Sequence, residues 1–569
     1  MALPLGFGLW SVTGEASWAE DAAIVRDLGL LPAGSEGALS TVLAQLSTLL
    51  PLGGRSLRAS LVGVFALTLA SRWLFELVLA LLERRARSPI NPLLALFASA
   101  TWALGAGVLP AAVRVGGPMP ALALVLLGVM LARPAFERAD VRALAATGLV
   151  LAAAAAESRA AGVILVLMVA GLAVVERRRG WQRDVWRVFA GLAGGLLLFG
   201  SLRAVGLSGA AELAPAGEAL ARGSELLASA RLLPERWAWQ LGSAPLLLAL
   251  AGAVLGALHA PSRRQLWPWA FAALLGVLVP AAGEPLALGG LLGALSSLGV
   301  AVFFPLGVQA LVCSLWASPL PFGRPAAVLA VTFATTLVLS RADRGRVEQT
   351  PGAGPSAWTD AALMRLPPRS FVLLHDERLT LRLLAARVLH GARPDVALLP
   401  TGRLSARALR VDPDLADPSL LSVLRQLWVN GNVDEYTLSA LADDRPVFVE
   451  PEPAWEQRLL GHLAPDGIWL RFAPHGLGRS DRRAGTVRSR MVLRRALELA
   501  GGDAGLDAAT RRALADAASG QAIVLGALRE RELSGRMAHA ARVIERGDQV
   551  ARLEPGAPRA RVAARDVSR

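Results

Sequence analysis

The hydrophobic positions of the chain follow two different patterns, which meet near residue 345. Before this point, apolar runs recur at short intervals, and most are near the ~20 residues with which an α-helix crosses a bilayer. A shorter apolar run at residues 1–13 precedes them. The pattern predicts about eleven transmembrane helices in a domain that covers residues 1–345. Apart from the first, the runs are 57–82, 90–113, 118–133, 141–156, 160–175, 186–207, 239–260, 266–282, 286–317 and 325–340.

Beyond residue 345 the spacing of apolar positions changes. A linker at 346–357, rich in proline and glycine, is followed by short β-type runs that alternate with helical ones, which predicts an α/β domain at 358–480. Alanine- and arginine-rich sequence then predicts a helical tail at 485–569. The predicted strands are FVLLHDE, DVALLP, RPVFVEP and GIWLRFAP, and the predicted helices between them are RLTLRLLAARVLHG and AWEQRLLGHLA.

Part of the tail, residues 528–562, resembles a single tetratricopeptide-type helix pair with its closing proline. One such pair cannot bury its own apolar face, because these repeats depend on stacked neighbours. We therefore expect the pair to pack on the α/β domain or on a protein partner.

The composition places the chain outside the range of soluble proteins. Hydrophobic residues make up 54% of the chain, charged residues 18%, and the mean hydropathy is +0.47. The net charge of +14 raises nucleic acid as a partner, but no zinc-ligand spacing or aromatic and basic strip accompanies it. We therefore predict a polytopic membrane protein with lipids as partners and without a nucleic-acid partner.

Arginine clusters in short loops predict the orientation, because such loops remain in the cytoplasm. The segments 14–56, 112–117, 157–159 and 208–238 are then predicted to face outward, as is the chain after residue 340. The acidic opening loop at 14–38 and the C-terminal domain thus share the extracytoplasmic compartment of a bacterial inner membrane. The clusters comprise Arg84, Arg85 and Arg87, then Arg133, Arg138 and Arg142, then Arg177, Arg178, Arg179 and Arg183, and finally Arg263 and Arg264.

Four stretches resemble the GT-C membrane glycosyltransferases, and within them the bacterial protein O-mannosyltransferase-like branch, long labelled a domain of unknown function. They are WAEDAAIVRDLGLLPAG with the following span, LFASATWALGAGVLPAAVRVGGPMPALAL, the strand region LPPRSFVLLHDERLTLRLLAARVLHGARPDVALLP, and DDRPVFVEPEP with LAPDGIWLRFAP. The resemblance implies a GT-C-like polytopic α-helical fold with a C-terminal extracytoplasmic α/β domain. It also implies transfer of a sugar from a polyprenyl-phosphate donor to a protein or envelope glycan.

The family signature D-x-G-E falls on residues 17–20 and leaves Glu20 in place, with Asp21 beside it as a substitute for the leading aspartate. Sugar transfer needs a base near the acceptor hydroxyl and a cation near the leaving phosphate. The resemblance thus assigns catalysis to Glu20 and Asp21, and it leaves a divalent metal open as a cofactor. The alternative is that both are solvated loop acids at a helix N-terminus.

Three further residues are predicted to bind the substrate. Arg114 and Arg159 lie in outward loops, and the planar guanidinium group is suited to phosphate. Trp237, in another outward loop, is predicted to stack on a sugar. The structural alternatives are an ion pair with Glu157 for Arg159 and a place in the interfacial aromatic belt for Trp237. The HDE motif at 375–377 favours a solvated loop over a metal site.

Two other functions remain open. The family's leading aspartate, its His-Pro-Pro-Gly histidine and its acidic EVY are absent here, which favours a catalytically degenerate homologue that acts as an envelope assembly scaffold. A transporter or flippase is the third interpretation, although no internal repeat of the kind common in transporters is found.

Overall fold

The structure, a computed structural model, divides the chain into two compact units. The first comprises Met1–Gly14 and Arg26–Thr350, and the second comprises Glu15–Val25 and Pro351–Arg569. The acidic segment therefore belongs with the C-terminal region. The described residues are 2–11, 18–21, 24–25, 38–85, 87–105, 107–138, 140–175, 181–204, 224–258, 260–279, 290–316, 353–401, 420–430, 433–452, 455–500 and 506–547.

The described part of the first unit is helical, and its helices enclose one continuous apolar core. A single 3₁₀ turn, Leu275–Leu278, follows α12. The helices are α1 (Ala2–Ser11), α2 (Ala38–Ser47), α3 (Arg55–Arg85), α4 (Asn91–Ala103), α5 (Val108–Val113), α6 (Met119–Arg138), α7 (Val141–Glu157), α8 (Arg159–Val175), α9 (Trp181–Ala204), α10 (Ser224–Leu241), α11 (Ser243–Leu258), α12 (Ala260–Leu274) and α13 (Leu291–Trp316).

Among the described residues, three helices are long and apolar enough to cross a membrane: Arg55–Arg85, Met119–Arg138 and Leu291–Val312. A fourth span is possible if the pair Glu225–Leu241 and Pro245–Leu255, bent by 117°, is counted as one broken helix. The first unit thus has the helices of a membrane protein. The count of about eleven spans stays a prediction, and the predicted run at 325–340 lies outside the described residues.

The predicted span at 90–113 is not one continuous helix. α4 ends at Ala103 and α5 begins at Val108, and Gly105 lies in the connection. The indole N–H of Trp102 donates to the carbonyl oxygen of Ala294 at 3.2 Å and thereby fixes the end of α4 against α13. Since glycine is a poor helix former, the break falls where the local sequence supports a helix least.

Glycine permits the closest helix crossings of the first unit. A Cβ atom on Gly148 of α7 would lie 2.0 Å from a carbonyl oxygen of α9, and one on Gly191 of α9 would lie 2.1 Å from a carbonyl oxygen of α7. Gly252 and Gly307 occupy the same reciprocal positions between α11 and α13. Helices within a bilayer associate mainly through such close van der Waals packing, so larger residues at these four positions would separate them.

The second unit is built on a five-stranded mixed sheet in the order β2-β1-β3-β5-β4. The central strand β1 (Phe371–Leu374) is parallel to β2 (Ala397–Pro400) and to β3 (Val447–Val449). β5 (Trp469–Phe472) is antiparallel to β3, and β4 (Leu463–Asp466) is antiparallel to β5. The parallel strands are continuous apolar runs that are buried along their whole length, as expected of a sheet covered on both faces.

Four of the strands lie within the segments predicted as strands, but the prediction for AWEQRLLGHLA was wrong. Only Gln457–Leu460 of that segment is helical, and β4 begins at Leu463. The helix ends at Gly461, after which the chain pairs with β5. Pro465 lacks an N–H, and β4 tolerates it because an edge strand needs hydrogen bonds on one side only.

Helices surround the sheet, and those of the tail pack on it. Gln521 of the tail donates from Nε2 to the carbonyl oxygens of Gly467 and Trp469 at 3.0 and 3.1 Å. The second helix of the predicted tetratricopeptide-type pair lies outside the described residues. The last described helix, Arg531–Arg546, packs on the helix before it, Ala508–Ala527. The helices are α14 (Gly354–Leu363), α15 (Glu377–His390), α16 (Leu421–Asn430), α17 (Glu435–Asp444), α18 (Gln457–Leu460), α19 (Arg479–Leu499), α20 (Ala508–Ala527) and α21 (Arg531–Arg546).

Candidate functional site

The acidic segment forms part of the second unit. Trp18–Glu20 make one 3₁₀ turn, and Ile24 and Val25 are fully buried. Both predicted catalytic acids are buried as well, since Glu20 is 8% exposed and Asp21 is 2% exposed. The alternative interpretation, that they are solvated loop acids, is therefore wrong.

Asp21 forms an ion pair with a residue 361 positions further along the chain. The Nη1 group of Arg382 on α15 donates to Oδ1 of Asp21 at 3.0 Å, and Nε of the same guanidinium donates to Oγ1 of Thr359 at 2.9 Å. Both charged side chains are almost completely buried. Within the described residues, Oδ2 of Asp21 has no hydrogen-bond partner.

Aromatic and hydroxyl groups enclose this ion pair. The guanidinium of Arg382 lies 5.8 Å from the ring centroid of Trp18, a cation–π distance. The indole N–H of Trp18 donates to Oγ1 of Thr510 at 2.7 Å, and that hydroxyl donates to Asp507 at 2.6 Å. The segment thus makes both charged and neutral contacts to helices of the unit.

Burial governs the titration of Asp21. Loss of solvation raises its pKa to about 7, and the positive charge and hydrogen bond of Arg382 offset only part of that effect. The nearby carboxylate of Glu20 raises the pKa slightly further. A carboxyl group that titrates near neutral pH can exchange a proton under physiological conditions.

The described residues of the acidic segment do not form a set of metal ligands. Arg382 already occupies one oxygen of Asp21. In the part of the chain that the structure describes, no group of three or more His, Cys, Asp or Glu side chains is arranged to hold a metal ion. The segment can therefore supply a proton acceptor, and a divalent metal as cofactor stays a prediction.

The other predicted site residues belong to the first unit. Arg114 follows α5 and lines a recess of about 10 Å³ beside Gly116 and Gly117, with room for about one water and none for a phosphate group. Arg159 is the first residue of α8 and is exposed. Trp237 donates from Nε1 to Oγ of Ser296 at 2.9 Å, and its ring packs on the apolar core. Their roles in substrate binding stay predictions.

Glu157, predicted as an ion-pair partner of Arg159, has a capping role in the fold. Its Oε2 atom accepts hydrogen bonds from the backbone N–H groups of Leu39 and Ser40, both at 3.0 Å. These two donors lie in the first turn of α2 and have no acceptor within the helix. Glu157 therefore caps α2 from the end of α7.

Sequence reasoning missed two charged residues, the buried Arg382 and the half-buried Glu450. Glu450 follows β3 directly, at the edge of the sheet where the parallel strands β1 and β3 both end. Its Oε2 atom accepts from the backbone N–H groups of His375 and Asp376 at 2.6 and 2.9 Å. Burial raises the pKa of Glu450, although these two hydrogen bonds oppose the effect. An acid at the carboxyl end of a predicted parallel strand was the available signal, because ligands bind at that edge of α/β sheets.

The HDE motif is part of a hydrogen-bonded network. Asp376 caps α15 by accepting from the backbone N–H of Arg378. His375 lies 2.5 Å from Oγ1 of Thr401 through Nδ1 and 3.3 Å from Glu452 through Nε2. The motif is therefore ordered by its neighbours at the sheet edge.

No family model and no curated protein matches the chain. Two solved structures are similar to it. The structure of ArnT from Cupriavidus metallidurans bound to undecaprenyl phosphate aligns with a TM-score of 0.44 and 14% identity, over 79% of this chain and 92% of that one. The apo state of the same protein aligns with a TM-score of 0.43 and 15% identity over the same shares. Because both TM-scores are below 0.5, the proposals that follow rest on the residues of this chain.

Proposed function

We propose that the chain is a membrane glycosyltransferase-like protein of the GT-C type. It transfers a sugar from a polyprenyl-phosphate donor to a protein or envelope glycan on the extracytoplasmic side of a bacterial inner membrane. The membrane-type helices of the first unit support the use of a lipid-linked donor. The observation that carries the proposal is the buried carboxyl group of Asp21, with a pKa near 7 and one oxygen without a partner among the described residues.

In this mechanism the ionised Asp21 is the general base. Its carboxylate takes the proton of the acceptor hydroxyl as that oxygen bonds to the anomeric carbon of the donor sugar. The bond between the anomeric carbon and the phosphate oxygen breaks, and polyprenyl phosphate leaves with the electron pair. Arg382 keeps the carboxylate in one orientation through its 3.0 Å hydrogen bond. A base with a pKa near the working pH combines the required protonation state with sufficient proton affinity.

The purified chain in lipid nanodiscs tests this proposal directly. Sugars linked to a polyprenyl phosphate, the donor class of the proposal, are the first donors to supply. We expect consumption of the lipid-linked sugar, and a loss of about 10²- to 10⁴-fold in Asp21→Asn, the usual contribution of a general base. The exposed acid Asp443 provides the control Asp443→Asn, which should keep full activity.

The pH profile sharpens the test. Because only ionised Asp21 accepts a proton, the rate should rise about tenfold per pH unit below pH 7 and level off above it. Equal turnover by the unchanged chain and by Glu20→Gln/Asp21→Asn would remove both acids from the mechanism.

The burial of Asp21 favours a second candidate, the envelope assembly scaffold. A carboxylate that is 2% exposed and paired with Arg382 is well suited to anchoring the acidic segment. In that case no lipid-linked sugar is consumed with any donor, while Asp21→Asn still loosens the second unit. Turnover of the lipid-linked sugar by the unchanged chain distinguishes the two candidates, and hydrogen exchange at β1 in the same nanodisc samples shows how far Asp21→Asn loosens the fold.

A further inference from the structure

A cavity of about 120 Å³ lies within the second unit, next to the acidic segment but distinct from the ion pair. We name it the tryptophan cavity. Its walls combine one face of aromatic rings with one group of charged residues at the carboxyl edge of β1 and β3. The residues that define it are Trp18, Trp358, Asp376, Glu450, Trp469 and Asp516.

The three indole rings form a continuous aromatic wall. The ring centroids of Trp18 and Trp358 are 5.1 Å apart, those of Trp358 and Trp469 are 6.3 Å apart, and both pairs meet edge to face. Trp358 and Trp469 are 1% and 2% exposed, so the protein around them fixes their positions. They support the half-buried ring of Trp18, which provides apolar contact area with little loss of side-chain entropy when a ligand binds.

The polar groups of the cavity are only partly satisfied. Glu450 uses Oε2 for the two backbone N–H groups at the end of β1, and no hydrogen bond to its Oε1 is formed within the described residues. Trp358 also lines the cavity, and its buried indole N–H has no acceptor there. A carboxylate oxygen needs a donor and an indole N–H needs an acceptor. A hydroxyl group provides both.

The charge of the cavity excludes one class of ligand. Asp376, Glu450 and Asp516 contribute three acidic groups, whereas Arg378 contributes one basic group. That guanidinium is already paired with Asp376 at 2.8 Å. A phosphate or a carboxylated ligand would meet net repulsion here, so the cavity does not match the phosphate of a lipid-linked donor.

We propose that the tryptophan cavity binds one uncharged pyranose ring of a glycan. A pyranose ring has an apolar face of C–H groups, which packs on the tryptophan rings, and a rim of hydroxyl groups, which donate to Glu450 and Asp516. Carbohydrate binding at this site requires no transfer reaction, so the inference goes beyond the proposed transferase and can be tested separately from it.

The test is a binding titration of the full-length chain in nanodiscs, with no sugar donor present. Methyl glycosides of glucose, mannose and N-acetylglucosamine are the uncharged probes, and glucuronic acid is the charged one. Saturation-transfer NMR and the fluorescence of the tryptophans report binding. We expect at least one uncharged glycoside to bind with a Kd of about 1 mM, a value ordinary for one small ring. Glucuronic acid should bind at least tenfold more weakly than that glycoside.

Two variants tie the binding to the cavity. Glu450→Gln keeps an oxygen for the backbone N–H groups but removes the charge, and Asp516→Asn changes a side chain that is 63% exposed. Each should weaken binding about tenfold or more, because hydrogen bonds to charged acceptors are the strong ones, and Asp443→Asn should leave it unchanged. Saturable binding by none of the uncharged glycosides, unchanged affinity in both cavity variants, or tighter binding of glucuronic acid would each overturn the proposal.

Discussion

Two buried carboxylates, one in each unit, are neutralised by different kinds of partner. Asp21 in the second unit is 2% exposed and meets the guanidinium of Arg382. Glu157 in the first unit is 6% exposed and meets two backbone N–H groups at the start of α2. The first arrangement joins two full charges, whereas the second joins a full charge to the partial positive charge of a helix N-terminus.

The difference determines what each unit loses when its carboxylate is removed. Without Asp21, the second unit would keep a buried guanidinium that cannot lose its proton. Without Glu157, the backbone N–H groups of Leu39 and Ser40 would lose the acceptor that it provides, and both of these groups are neutral. A buried ion pair therefore makes the fold more dependent on both partners than a helix cap does.

The largest effect is expected for Asp21→Leu. This change removes the carboxylate that pairs with the buried guanidinium of Arg382, and we expect it to destabilise the second unit by about 3–5 kcal/mol. Native-state hydrogen exchange at β1 in the full-length chain measures the local free energy of opening.

The double variant Asp21→Leu/Arg382→Met is the control for that experiment. Replacing a buried ion pair by apolar side chains of similar volume is often neutral or stabilising, so protection at β1 should return to about its original level. If the double variant were as unstable as Asp21→Leu alone, the loss would come from packing and the ion pair would be irrelevant to it.

Arg382→Met alone should cost less and should depend on pH. In the folded chain the pKa of Asp21 is raised from 3.8 to about 7. Protonated Asp21 therefore makes its full contribution to the stability of the folded state at pH 3.8 and below, and this contribution is lost as the pH rises towards 7. Without the guanidinium the folded pKa rises further, and the loss continues above pH 7. The difference from the unchanged chain should therefore be small at pH 6 and larger at pH 8.5, again by hydrogen exchange at β1. A difference that shrinks at high pH would contradict the assigned cause.

The same ion pair bears on one topological prediction. Asp21 contacts Arg382, so the described part of the acidic loop belongs to the same unit as the C-terminal domain. Their shared side of a membrane stays a prediction. Arginine clusters predicted this shared compartment because positive loops are retained in the cytoplasm. Which side it faces stays a prediction.

Local patterns predicted the elements but not the partners of the buried charges. Continuous apolar runs identified β1, β2, β3 and β5, because strands buried on both faces carry little else. Arg382 escaped notice because its partner is 361 positions away, and hydrophobic periodicity reports which face is buried but not what it meets there. An arginine between Leu381 and Leu383 on a helix that is buried for two turns was the only available sign.

A smaller effect is expected in the first unit for Glu157→Ala. The N–H groups of Leu39 and Ser40 would lose their acceptor, and loss of a helix cap typically costs about 1 kcal/mol. Glu157→Gln keeps one acceptor oxygen and should lose less. Faster hydrogen exchange confined to the first turn of α2 is the expected result. A loss as large as that of Asp21→Leu would show that the two carboxylates are not neutralised as differently as their contacts indicate.

The smallest effect is expected for an ion pair at the surface of the second unit. Its comparison with the Asp21 ion pair separates the effect of burial on stability from the effect of charge. Glu532 on α21 contacts Arg536 at 2.5 Å, and its side chain is 54% exposed. Water screens this pair and both side chains lose rotamer freedom in forming it, so Glu532→Gln should change stability by less than about 0.5 kcal/mol. Hydrogen exchange at α21 should show this small change, and added salt should reduce it further. Because Glu532 and Asp21 both contact an arginine of the same unit, the difference between their variants measures how much of the Asp21 effect is due to burial.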